Sequence, residues 1–189
     1  MSNHDGHLFS LHEVLVMASL AALGGVSSAL ISLVRAAVHA FIVVPGGLQF
    51  LAGIHVLWLV LAVGLVRKPG AATITALLKG VVELLSGNPH GLLVLLYSAL
   101  AGITVDIIWL LLGRRHHPVT YVLAGGAGAA SNLLVLLFVA SLPNHRGVLT
   151  GLSVLACAAF MSGSVLAGLL GWRLLTALHR AGVGGVHRH

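Results

Sequence analysis

The sequence predicts an all-α fold, a polytopic membrane protein built as a bundle of six transmembrane helices with both termini in the cytoplasm. Three observations lead there. Hydrophobic residues make up 58% of the chain and charged residues 7%, with a mean hydropathy of +1.06, a composition suited to lipid. The 189 residues have room for about six spans of ~20 residues with short connections. Lys and Arg gather at segment ends and chiefly on one set of alternate loops, the asymmetry that sets topology during insertion.

Residues 1–12 form a short cytoplasmic segment. Its run MSNHDGHLFSLHE lacks the basic start of a signal peptide, so the first apolar stretch is expected to remain as a helix. Spans are expected at residues 13–34, 49–66, 71–86, 92–112, 119–142 and 149–175, within one domain from 13 to 178. A basic, histidine-bearing tail, 179–189, follows. The third span is short and carries Lys79 and Glu83, so a buried or re-entrant helix is its alternative reading. Arg67, Lys68, Arg114, Arg115, Arg173, Arg180 and Arg188 fall on the side of the termini, against Arg35 and Arg146 opposite. The first, third and fifth loops are therefore expected outside.

Composition and motif also exclude functions. The basic residues are scattered, with no aromatic-basic face, so no nucleic-acid partner is expected. Cys157 is the single cysteine; an intrachain disulfide is impossible, and its apolar surroundings suggest core packing. Twelve histidines invite a metal, but His4, His7, His12, His116, His117, His187 and His189 lie in separate segments, and no metal site is expected. No Gly-x-Ser-x-Gly, HExxH or phosphate-binding glycine loop is present. Any ATP must then be hydrolysed by another polypeptide, with no cofactor bound here.

Two of the four acidic residues, Glu83 and Asp106, lie inside proposed spans, where an ionisable group is a site candidate by its cost alone. Lys79 and Glu83 are four apart and share a helix face, so neutralising each other and binding a ligand both remain open. His55, Trp58, Tyr97 and Asn132 are expected at similar depth, with Asn88 and His90 on the outer loop. Together they suit a small, flat, cationic or heteroaromatic ligand. Asp106 lies fifteen residues after Gly91, about 22 Å along the helix and near the cytoplasmic side. Pairing with Arg114, Arg115 or another chain, in a coupling role, and ligand contact are both open to it. Ala18, Ala22 and Gly25 form a small-residue stripe on the first span, which either packs within the chain or docks a second protein.

The run Arg67-Lys-Pro-Gly-Ala-Ala, the helix bearing Glu83, and Gly87-Asn-Pro-x-Gly91 resemble the signature of YkoE-like substrate-binding subunits of energy-coupling factor (ECF) transporters. The likeness continues through residues 102–106, 125–131 and 162–171. It implies a six-helix S component in the plasma membrane that captures a vitamin, with thiamine or its hydroxymethylpyrimidine precursor as the ligand group. It also implies a transmembrane coupling protein and two ABC ATPases as partners, with Ala18, Ala22 and Gly25 on the docking face. Ala76 stands where a member of the group has a glutamate, and Lys79 where that member has a small residue. Nickel or cobalt uptake through the histidines, a membrane enzyme using Glu83 or Asp106 as acid-base group, and a purely structural bundle are the competing expectations.

Overall fold

The computed structural model describes residues 9–41, 51–88, 91–139 and 146–182, and every described element is helical. The first helix, α1 (Leu11–Phe41), opens on a capping box: the Ser10 amide donates to Glu13 Oε2 at 2.6 Å and the Glu13 amide to Ser10 Oγ at 3.3 Å. Each side chain satisfies an amide that the first turn leaves open. Beyond Val34 the helix continues to Phe41, so Arg35 does not open the loop expected there. A single arginine does not stop a helix, and residues 36–41 contain no Gly or Pro.

The next helices are α2 (Ala52–Val66) and α3 (Ala71–Leu85), separated by a turn in which Arg67 (φ 55°) and Gly70 (φ 86°) take the left-handed conformation. That conformation is strained for arginine and free for glycine. Then come α4 (Leu93–Leu111) and α5 (Pro118–Val139). The last span begins with α6 (Arg146–Ser162), loosens into a π-helical segment (Gly163–Leu169), and ends as α7 (Leu170–Arg180). A single α-helix was expected over that stretch. Gly163 and Gly168 press their backbones onto Gly125, Tyr121 and Val122 of α5, where a side chain at either position would overlap main-chain atoms.

Among the described residues, four stretches, Leu11–Val34, Leu93–Leu111, Pro118–Val135 and Thr150–Arg180, are long and apolar enough to cross a bilayer, and α2 is a shorter apolar helix. Apolar around most of its circumference, α2 runs through the centre, with most of its residues buried. Its Val56, Leu59, Val60 and Val63 pack into one core with Val105, Trp109, Tyr121 and Leu175. Leucines and valines of α1, α3, α4 and α6 remain on the outside, the inverse of a water-soluble surface. Cys157 is exposed on α6, not packed in the core as its apolar surroundings suggested.

One end of the bundle gathers the segments that an even number of spans brings to one side. Lys68 Nζ lies 2.7 Å from Glu13 Oε2, joining the α2–α3 turn to the start of α1. Arg67 donates to His179 Nε2 at 3.1 Å, and the rings of His116 and His179 meet edge to face at 5.1 Å. The α4–α5 turn and the end of α7 are thereby held at the same end.

Candidate ligand-binding site

Lys79 and Glu83 stand one turn apart on α3, and each is 3% exposed. The ammonium donates directly to Glu83 Oε1. In surroundings without water each charge needs the other, because an unpaired ion there costs several kcal/mol. His55 of α2 approaches the same carboxylate, with Nδ1 at 3.8 Å from Oε1 and 2.7 Å from the Ser28 hydroxyl of α1. Three helices thus converge on Glu83.

Gly24 of α1 makes room for this arrangement. A Cβ there would lie 2.9 Å from Lys79 Cδ and 3.0 Å from Trp58 Cδ1.

Beside the pair is a cavity of about 240 Å³ lined by Ser32, Ala52, His55, Val56, Leu59, Ala76, Lys79, Glu83, Asn88, Val94, Tyr97, Ser98, Ala101, Asn132 and Leu133. Clefts that take small ligands are typically ~300–1,000 Å³, so this one suits a compact, ring-sized guest. A second space of about 250 Å³, between α1 and the end of α3, shares Ser32, Glu83 and Asn88 with the first. Glu83 therefore stands at the junction of the two. On the opposite wall the Asn132 carboxamide oxygen is buried with no hydrogen-bond partner among the described residues, a donor-seeking group that a ligand N–H would satisfy.

Six residues singled out from the sequence, Glu83, Lys79, Asn88, Tyr97, His55 and Asn132, line this cavity together. Trp58 does not. Its indole N–H donates to Ser27 Oγ at 2.9 Å and its ring lies by Gly24, so it fastens α2 to α1. His90 lies outside the described residues. Ser28, Ser32 and Ser98 were not anticipated. The four-residue spacing of Ser28 and Ser32, which puts both on one face of α1, was the available signal.

Asp106 does not make the pairing with Arg114 or Arg115 that was open to it. It is buried. Its Oδ1 accepts the Ala72 amide at 3.3 Å, and Oδ2 accepts the Thr73 amide at 2.9 Å and the Thr73 hydroxyl at 2.6 Å. A carboxylate of α4 thus caps the first turn of α3, where open amides and the positive end of the helix dipole favour an anion. Arg114 instead lies over the Trp109 ring at 5.9 Å.

The small-residue stripe divides as well. Ala18 and Ala22 are exposed, but Gly25 is buried against Val82 of α3, whose Cβ would lie 2.7 Å from a Cβ at Gly25. Gly25 therefore belongs to the α1–α3 contact and not to an outer docking face. Among the described residues, no three His, Cys, Asp or Glu side chains converge.

A multi-pass helical membrane protein with a buried polar cavity between its helices is the class that fold and site define. Residues 12–132, most of the chain, match the family described as the permease component of the ABC-type cobalt transport system, and the chain belongs to that family. YkoE of Bacillus subtilis (strain 168), a protein named as an HMP/thiamine permease, is 29% identical over 133 residues, covering 69% of this chain. The match spans 65% of that relative's length, a little under two thirds. The crystal structure of an S-component of an ECF transporter superposes with a TM-score of 0.80 at 25% identity, covering 93% of this chain and 88% of that one. The bundle is thus of the S-component type, and the chain is a multi-pass protein of the cell membrane.

Proposed function

We propose that this chain is the substrate-capture subunit of an ATP-driven ECF-type vitamin importer, taking thiamine or its hydroxymethylpyrimidine precursor. The observation behind this reading is the cavity beside Glu83, where His55, Lys79, Glu83 and Asn132 face a ring-sized space. Polar groups placed within an otherwise apolar pocket orient a ligand while its walls exclude water. The S-component architecture and the name of the YkoE relative support a vitamin of this group.

In this reading the chain is not an enzyme. A transmembrane coupling protein docks along the exposed Ala18 and Ala22, and two ABC ATPases hydrolyse the ATP. The end holding Lys68, Arg67 and His179 faces the cytoplasm, because basic residues concentrate there. Glu83 then lies towards the outside, with Asn88 at the entrance.

The test is equilibrium binding of thiamine and hydroxymethylpyrimidine to the purified protein in detergent, alongside Glu83→Gln. One of the two should bind saturably, and the variant should bind it at least about tenfold more weakly, a hydrogen bond to a charged group being worth ~1.5–3 kcal/mol. A folded protein that binds neither would end this assignment. The family's description favours a second reading, cobalt uptake. It requires saturable Co²⁺ binding that survives Glu83→Gln and depends on histidines.

A further inference from the structure

We infer that Lys79 is a built-in counter-cation that sets the specificity of the cavity, admitting an uncharged heteroaromatic ring and rejecting cations. This rests on the capture reading above and narrows it to the aminopyrimidine alcohol over the thiazolium-bearing vitamin. The carboxylate that a cationic ligand would seek is already engaged: Glu83 is paired with Lys79, with His55 Nδ1 at 3.8 Å as a further neighbour. Both members of the pair are 3% exposed, so water does little to screen them. Lys79 and Glu83 together contribute no net charge, and a guest cation would bring an uncompensated one into a low-dielectric interior.

Aromatic compensation is sparse. A cation–π contact puts a cation within about 6 Å of a ring face; Trp58 is bonded to Ser27 of α1 and does not line the cavity, so among the described residues Tyr97 is the phenyl or indole ring in the wall. The opposite wall asks for something an uncharged ring supplies. Asn132 Oδ1 is a buried acceptor without a partner among the described residues, matched by the exocyclic N–H of an aminopyrimidine. Lys79 disfavours a divalent metal for the same electrostatic reason.

The experiment compares hydroxymethylpyrimidine, thiamine and Co²⁺ binding by calorimetry on the purified full chain, as wild type, Lys79→Met and Lys79→Met/Glu83→Gln. Wild type should bind hydroxymethylpyrimidine about tenfold or more tightly than thiamine. Lys79→Met frees the carboxylate and should reverse that order, and the double variant, uncharged again, should restore it. A merely structural lysine would weaken both ligands together and leave their ratio unchanged, which would overturn the inference. Wild type binding thiamine as tightly as hydroxymethylpyrimidine also overturns it while leaving the capture reading intact. Binding of Co²⁺ and neither pyrimidine overturns both. Should Lys79→Met fail to fold, Glu83→Gln decides beside the wild-type ratio: with the ammonium left unpaired, thiamine must lose more affinity than hydroxymethylpyrimidine, and an equal loss refutes the assignment.

Discussion

Replacing Asp106 by alanine should destabilise the isolated subunit, with no partner or ligand present. The carboxylate accepts two backbone amides and one hydroxyl from the first turn of α3, at 3.3, 2.9 and 2.6 Å. A hydrogen bond to a charged group contributes ~1.5–3 kcal/mol, and loss of a helix N-cap costs ~0.5–2 kcal/mol. These contacts share one carboxylate and are not additive, so about 3–5 kcal/mol is expected for Asp106→Ala. Asp106→Asn retains an acceptor and should lose about 1–2 kcal/mol. The assay is reversible unfolding of the purified chain in mixed micelles, followed by intrinsic fluorescence. An alanine variant within about 0.5 kcal/mol of wild type would refute the capping role. If that stable variant also abolished transport by the assembled complex, Asp106 would belong to coupling instead.

Two further outcomes follow from other contacts in the bundle. Gly25→Leu should lower the stability of the isolated subunit by about 1–3 kcal/mol through overpacking against Val82, whereas Ala22→Leu, on the exposed side of α1, should leave it nearly unchanged and weaken recovery of the assembled complex. Thermal unfolding and co-purification separate the two, and equal destabilisation by both would refute the division of the stripe. At the end of the bundle that carries the α4–α5 turn, partial desolvation, then the His179 and Arg67 charges, hold His116 below its ordinary imidazole range. The unfolded chain then binds more protons than the native one below about pH 6.5, so this contribution to stability is present above that pH and lost as pH falls towards the depressed native value. Thermal unfolding between pH 5 and pH 8 should show that slope reduced in His116→Gln, and an unchanged slope would refute it.

The spans were legible because lipid demands long apolar runs, and the elements from α2 to α5 begin and end within a few residues of where Gly, Pro and charge punctuate the sequence. Ser10-x-x-Glu13 was also readable as a capping box, and it marks the start of α1. The site was legible in its intramembrane polar residues, since Lys79, Glu83, His55 and Asn132 are costly in lipid and the fold brings them together. Sequence spacing could not fix rotation about a helix axis. Trp58 and His55 sit three residues apart on α2, yet one turns to Ser27 and the other to the cavity. The π-helical stretch was equally hidden, because its cause lies in the approach of Gly125 of α5 to Gly163, far apart in sequence.

The two intramembrane carboxylates are linked by the length of α3. Fifteen residues of helix reach about 22 Å, well short of the ~30 Å hydrocarbon core, so one or both ends of α3 must lie below a membrane surface. At its start, the amides that the first turn leaves open need an acceptor. Asp106, five residues before the end of α4 and hence about 7.5 Å inward of it, supplies the acceptor there. The far end can then stop early, and the space beyond its last turn is the one bounded by Ser86, Gly87, Asn88 and Ser32 that adjoins Glu83. The capped, shortened helix therefore keeps a charged pair buried and still beside an open space.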